Sequence, residues 1–129
     1  MYKELIISMI VIALITIGNI ITQSNTIKSV EEMSQNLNSL REEILQSYVN
    51  QEQTTQRMEE IAELWQEKQQ KMAYYIEHNE LEKVGTEMTK SKADMDVQEY
   101  AMAVENLDNC IFILEHIKDK SALKIVNIF

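Results

Sequence analysis

Two imidazoles, His78 and His116, and one thiol, Cys110, are the side chains of this 129-residue chain best suited to nucleophilic, acid–base or metal chemistry near neutral pH. Their spacing argues against each use. No H-E-x-x-H or E-x-x-H pair is present, so no single helix offers two metal ligands on one face. Cys110 and His116 are six residues apart, which puts them on different faces of a helix. Cys110 also precedes Ile111-Phe112-Ile113-Leu114, an apolar setting that reads as a core cysteine rather than an activated thiolate. The doublets Glu42-Glu43 and Glu59-Glu60 diverge as helical neighbours and read as solvated surface, not as an acid–base dyad. The only glycines, Gly18 and Gly85, rule out a phosphate-cradling loop, a dinucleotide fingerprint and a nucleophile elbow. The sequence therefore points to no enzyme, no cofactor and no metal.

What remains is recognition. Tyr74-Tyr75-Ile76-Glu77-His78-Asn79-Glu80 gathers two tyrosines, a histidine and acids at an expected helix junction. Aromatic rings with polar tips suit interfaces; the competing reading has Tyr75 and Ile76 closing the core while the rest caps the turn. Cys110 to Leu114 is apolar all round, as either the most buried part of a core or a docking patch containing Phe112. Tyr74, Tyr75, His78 and Phe112 are accordingly the candidate partner-contact residues. Six methionines, Met33, Met58, Met72, Met88, Met95 and Met102, read mostly as core.

The elements that must position these residues are helices. Proline is absent, and sheet turns lean on proline and glycine. The fold class is all-α: an N-terminal transmembrane helix followed by an antiparallel bundle of about four helices. Leu5 to Ile21 is a run of 17 residues without a charge. As a helix it spans roughly 26 Å, close to the hydrocarbon thickness of a bilayer. A cleaved signal peptide would have a shorter apolar region ending in small residues, so an uncleaved anchor is expected. Gly18 and Asn19 either promote helix association or lie at the interface near the end of the span. Lys3 on one side, against Lys28 diluted by Glu31 and Glu32 on the other, favours a single-pass cell-membrane protein with a cytoplasmic N-terminus and an extracytoplasmic domain. Residues 1–25 form the anchor and 26–129 the acidic domain. That domain carries the whole net charge of −9, which excludes nucleic acid as a partner.

Beyond the anchor, apolar residues recur at alternating spacings of three and four. Val30, Met33, Leu37, Leu40 and Ile44 form one seam. Met58, Ile61, Trp65, Met72 and Ile76 form the next, with Glu67 and Lys71 as an i,i+4 pair on the outer face. Leu81, Val84, Met88 and Met95 form a third seam, with Gly85 inside it. Ala103, Val104, Leu107, Cys110, Ile111, Leu114 and Ile117 form a broad fourth, preceded by Tyr100. Four cap pairs are expected: Ser29 with Glu32, Asn50 with Gln53, Asn79 with Glu82, and Asp96 with Glu99. The first soluble helix either continues the anchor or bends near Gln23 to Thr26. The tail from Ile125 to Phe129 is expected to fold back on the bundle, with insertion at the membrane surface as the alternative.

Lys3-Glu4-Leu5-Ile6-Ile7-Ser8, Gly18-Asn19-Ile20-Ile21-Thr22-Gln23, Leu40-Arg41-Glu42-Glu43-Ile44, Ala73-Tyr74-Tyr75-Ile76-Glu77-His78 and Ile111-Phe112-Ile113-Leu114-Glu115-His116-Ile117 give the chain a resemblance over its whole length. It resembles short single-span membrane proteins of clostridial-type endospore-forming bacteria, grouped as a domain of unknown function. The resemblance implies an envelope location, beside another small membrane protein, and no catalytic residue. The expected role is a non-enzymatic, membrane-tethered helical module that binds a protein partner and contacts lipid through its first helix. The alternative is a sensor of a small ligand or ion within the bundle.

Overall fold

With no proline anywhere and no glycine between Gly18 and Gly85, little in the first half of the chain interrupts a helix once it has started. A computed structural model describes residues 1–46 and 48–128, the side chains of Asn127 and Ile128 excepted. Four helices follow one another: α1, Tyr2–Ile44; α2, Gln51–Met72; α3, His78–Asp96; and α4, Tyr100–Ile128. No strand occurs among the described residues. Helix α1 runs unbroken through 23–26, so the apolar segment and the first bundle helix are one rod of roughly 64 Å. The bundle thus holds four helices, the first continuous with the apolar run.

Each helix buries one stripe at coiled-coil spacing. On α1 the buried row is Gln23, Thr26, Val30, Met33, Leu37, Leu40 and Ile44. On α4 it is Ala103, Leu107, Cys110, Leu114, Ile117 and Ser121. Rows repeating every 3.5 residues pack at shallow angles, knob into hole. α1 and α3 both lie against α2 and α4, and among the described residues the diagonal backbones do not come as close. The order is therefore up-down-up-down, as the short connections require. α4 lies closest to its neighbours, because its row includes Ala103, Cys110 and Ser121. α2 stands further off behind Met58, Trp65 and Met72.

Polar contacts at the rims set the register. Arg41 bonds Asp108 at 2.6 Å and Lys118 reaches Glu31 at 3.5 Å between α1 and α4. Arg57 pairs with Glu43, and Lys68 bonds Glu32 at 2.6 Å, between α1 and α2. Lys120 holds Glu80 at 2.7 Å between α3 and α4. Exposed pairs of this kind contribute about 0–1 kcal/mol each, so they select alignment more than they stabilise. The expected Glu67–Lys71 pair is not among the described ion pairs; the α2 cations that reach across to α1 are Arg57 and Lys68.

The helix ends correct several expectations. Asn50 caps α2 as its sequence predicts, its side chain accepting from the Gln53 N–H at 3.2 Å. Ser29 caps nothing, because α1 already supplies its backbone with partners four residues earlier. α3 starts at His78 with Glu77 as N-cap and no side-chain cap, so Asn79 lies inside the helix. Buried Ile76 fixes where the chain turns, one residue before that cap. Asp96 ends α3 instead of opening α4. The Glu99 N–H donates to the Asp94 carbonyl at 2.8 Å and the Gln98 N–H to that of Met95 at 3.1 Å. Gln98 adopts φ 61° to close this Schellman turn, and its amide donates to Gln51 at 2.7 Å. The tail does not fold back: α4 continues straight to Ile128, with Val126 exposed, and Phe129 lies outside the described residues.

Candidate functional site

The α2–α3 turn, residues 73–77, sets three of the four candidate contact residues at one end of the bundle. Tyr74 projects into solvent with 91% of its surface exposed. Tyr75 packs against the core beside buried Ile76. His78 opens α3 and pairs its Nε2 with Glu82 Oε1 at 3.1 Å. Tyr75 and Ile76 therefore close the core, while Tyr74 and His78 remain available. Phe112 is not brought to them. It stands on the outer face of α4, 76% exposed, roughly level with Leu37 of α1 in the register set by Arg41–Asp108. The apolar segment around it divides: Cys110 and Leu114 enter the core, Ile111 and Ile113 are half-buried, and Phe112 faces out.

The groups with chemical potential stay apart. His116 lies 3.8 Å from Glu80, whereas His78 turns to Glu82. Among the described residues no three His, Cys, Asp or Glu side chains are disposed to hold a metal ion. Glu59 faces Lys92 of α3, whereas Glu60 accepts from Gln56 on its own helix. Cys110 is fully buried, and its thiol approaches the Val84 carbonyl at 3.5 Å. Burial, with the Glu87 carboxylate adding to it, pushes this thiol from its ordinary 9.0 up to about 12. A native-state pKa raised above the unfolded one contributes stability fully below about pH 9 and loses it as pH climbs toward 12. Between those limits wild-type stability is expected to fall by at most about 1.4 kcal/mol per pH unit through this group. Denaturant melts of wild type and Cys110→Ala at rising pH check this; the variant should show the shallower alkaline decline. Lys120 loses its contribution in the same direction. The hydrogen bond to Glu80 raises its pKa above the ordinary lysine value, so the pairing persists to higher pH than a free lysine would allow.

One concavity was not legible in the sequence. Between α2 and α3 a groove of about 640 Å³ has an apolar wall of Met58, Ala62, Trp65, Leu81, Gly85 and Met88, and the rest of its lining is polar or charged, Gln66, Glu82 and Lys92 among them. Trp65 is 2% exposed, and its indole N–H is buried without a hydrogen-bond partner among the described residues. Gly85 opens this space, since a methyl group there would come within 3.8 Å of Trp65 Nε1. That is ordinary contact, so Gly85→Ala is expected to gain helix propensity without a clash, about 0.5–1 kcal/mol. A thermal melt should rise by about 2–4 °C.

Neither a curated protein nor a solved structure matches this chain significantly. A family model does: the domain of unknown function DUF4363 matches residues 20–128, from the end of the apolar run to the last turn of α4.

Proposed function

The chain belongs to the DUF4363 family, whose function is itself unassigned, and on that footing we propose that it is a non-enzymatic module that displays a helical bundle at a membrane and binds a protein there. The observation that carries this reading is α1. It is long and apolar enough to cross a bilayer, none of its most apolar stretch is covered by the rest of the molecule, and it continues without a break into the bundle core. A core helix of a soluble bundle would hide that stretch; here Leu5 to Leu14 stand bare. A continuous rod holds the bundle at a fixed height and rotation above its span, which suits a platform for another membrane protein. Lys3 and the acids that follow Lys28 favour a bundle outside the cytoplasm.

Phe112 is the anchor such a partner would grip, with Tyr74 and His78 at the bundle's end as a second contact. Acidic Glu105, Asp108 and Asp119 share its side of α4 and call for a partner with an apolar socket edged by bases. A photo-crosslinking side chain at Phe112, in the full-length protein in its own membrane, is expected to yield one dominant adduct with a second membrane protein. The same probe at exposed Glu52 is expected to yield none. Equal, weak adducts from both positions would overturn the reading.

The groove beside Trp65 favours a second reading, a sensor of a small apolar ligand carrying one hydrogen-bond acceptor for the indole N–H. A ligand seated there would shift Trp65 fluorescence and raise the melting temperature. A metabolite panel that moves neither excludes it.

A further inference from the structure

The helix register places one end of the bundle just beyond the end of the apolar run of α1, and that end differs from the rest of the surface. Arg41–Asp108 and Lys118–Glu31 align α1 with α4 so that each step forward on α4 is a step back on α1. Continuing that alignment sets Ser121 level with Lys28 and Val126 level with Gln23, two residues past the end of the apolar run at Ile21. Lys68–Glu32 aligns α2 likewise, so Met72 lies near the level of Lys28 and the turn that follows it lies nearer the span. That level is about 10 Å along the helix from Ile21. A headgroup layer is about 5–8 Å thick, and the turn and the side chain of Tyr74 project further toward it.

The side chains found there fit lipid. Tyr74, Leu123 and Val126 are 91%, 59% and 66% exposed, and none covers the core. The α2–α3 turn and the end of α4 meet around a cavity of about 270 Å³ that Leu123 and Lys124 help to line. Lys28, Lys71 and Lys124 are exposed around this end, while Lys120 holds Glu80. Against them stand Glu77 and Asp119, so the base is near neutral or slightly basic, whereas the whole chain carries −9. Tyrosine and lysine flanking apolar side chains are what the membrane–water interface selects.

We propose that the base of the bundle, formed by Tyr74, Leu123 and Val126 with Lys28, Lys71 and Lys124 around them, rests in the phosphate-bearing headgroup layer of the membrane that α1 spans. The proposal rests on the tether reading above. Tyr74 then serves as an interfacial anchor, α4 ends in the lipid surface, and the bundle stands upright with Phe112 held clear of the bilayer.

The test uses the full chain in vesicles of phosphatidylethanolamine and phosphatidylglycerol. Cysteines introduced one at a time at Tyr74→Cys, Val126→Cys, Ile12→Cys and Val97→Cys carry an environment-sensitive fluorophore; the unaltered protein, whose Cys110 is buried, is the control for background labelling. Lipids quenching at the headgroup are expected to quench positions 74 and 126. Lipids quenching along the acyl chain are expected to quench position 12, and neither should quench position 97. If position 12 is quenched while 74 and 126 behave like 97, the bundle stands off the bilayer and the proposal fails with the tether intact. If position 12 is also unquenched, tether and proposal fall together.

Discussion

A chain carrying Ile12→Arg together with Ile15→Arg is expected to leave the membrane fraction. Both residues lie near the middle of the apolar run and are 63% and 67% exposed. Nothing in the bundle packs on them, so their surroundings are whatever solvent the helix meets. Moving an arginine to the centre of a membrane helix costs about 2.5–3.5 kcal/mol, and losing an isoleucine adds a few tenths, so the pair costs about 6–8 kcal/mol. The bundle itself should be untouched, because its buried row begins at Gln23. Sedimentation of membranes, with blotting of pellet and supernatant, reads the outcome. Wild type should pellet and the double variant should move largely to the supernatant while keeping its native Trp65 emission. A double variant that still pellets, with its fold intact, would mean that the membrane is held by something other than α1.

The second large effect is expected inside the bundle. Trp65→Ala should lower the unfolding free energy by about 3–5 kcal/mol, a large share of the 5–15 kcal/mol typical of a domain. Trp65 is 2% exposed and is the bulkiest side chain that α2 sends toward α3. Opposite it stands Gly85, which has no side chain to move into the space left behind, so the cavity would persist beside the existing groove. Trp65→Phe separates the two parts of the effect. It keeps an aromatic ring and deletes the buried N–H that has no partner, so its loss should stay below about 1.5 kcal/mol. Chemical unfolding in detergent micelles, followed by far-ultraviolet circular dichroism, measures both. A loss under about 1 kcal/mol for the alanine variant would show that α2 is not held through Trp65.

Much of the fold was legible because heptad spacing is a local property. The rows from Val30 to Ile44 on α1, Met58 to Met72 on α2 and Leu81 to Met95 on α3 are buried as their spacing predicts; on α4 Ala103, Leu107, Cys110, Leu114 and Ile117 are buried, while Val104 and Ile111 are half-buried. Five of the six singled-out methionines lie in those rows; Met102 does not and is 53% exposed. Helix ends were less legible because a cap signal matters only where a helix actually stops. Ser29 followed by Glu32 has the right chemistry but lies in the middle of a rod that continues through it. Asp96 matches a start, yet the backbone closes a Schellman turn there with Gln98 at positive φ, where glycine is the usual occupant.

The sites were less legible still, because they depend on pairing between helices. Tyr74, Tyr75 and His78 are neighbours in sequence and in space, and the sequence identified them as unusual. Trp65 and Gly85 belong to two separate rows, and only the packing of α2 on α3 turns a weak helix position into the wall of a groove. Val126 and Tyr74 are 52 residues apart, and only the antiparallel register brings both to the level just beyond the apolar run of α1.

The bare apolar face of α1 is the foundation of the whole account, and one measurement addresses it directly. Membranes from expressing cells are washed with alkaline carbonate, which strips peripheral proteins, and the chain that remains is weighed intact by mass spectrometry. The account predicts a chain retained in the pellet with a mass that includes residues 5–21. A chain released by the wash, or one whose mass lacks those residues, would contradict it.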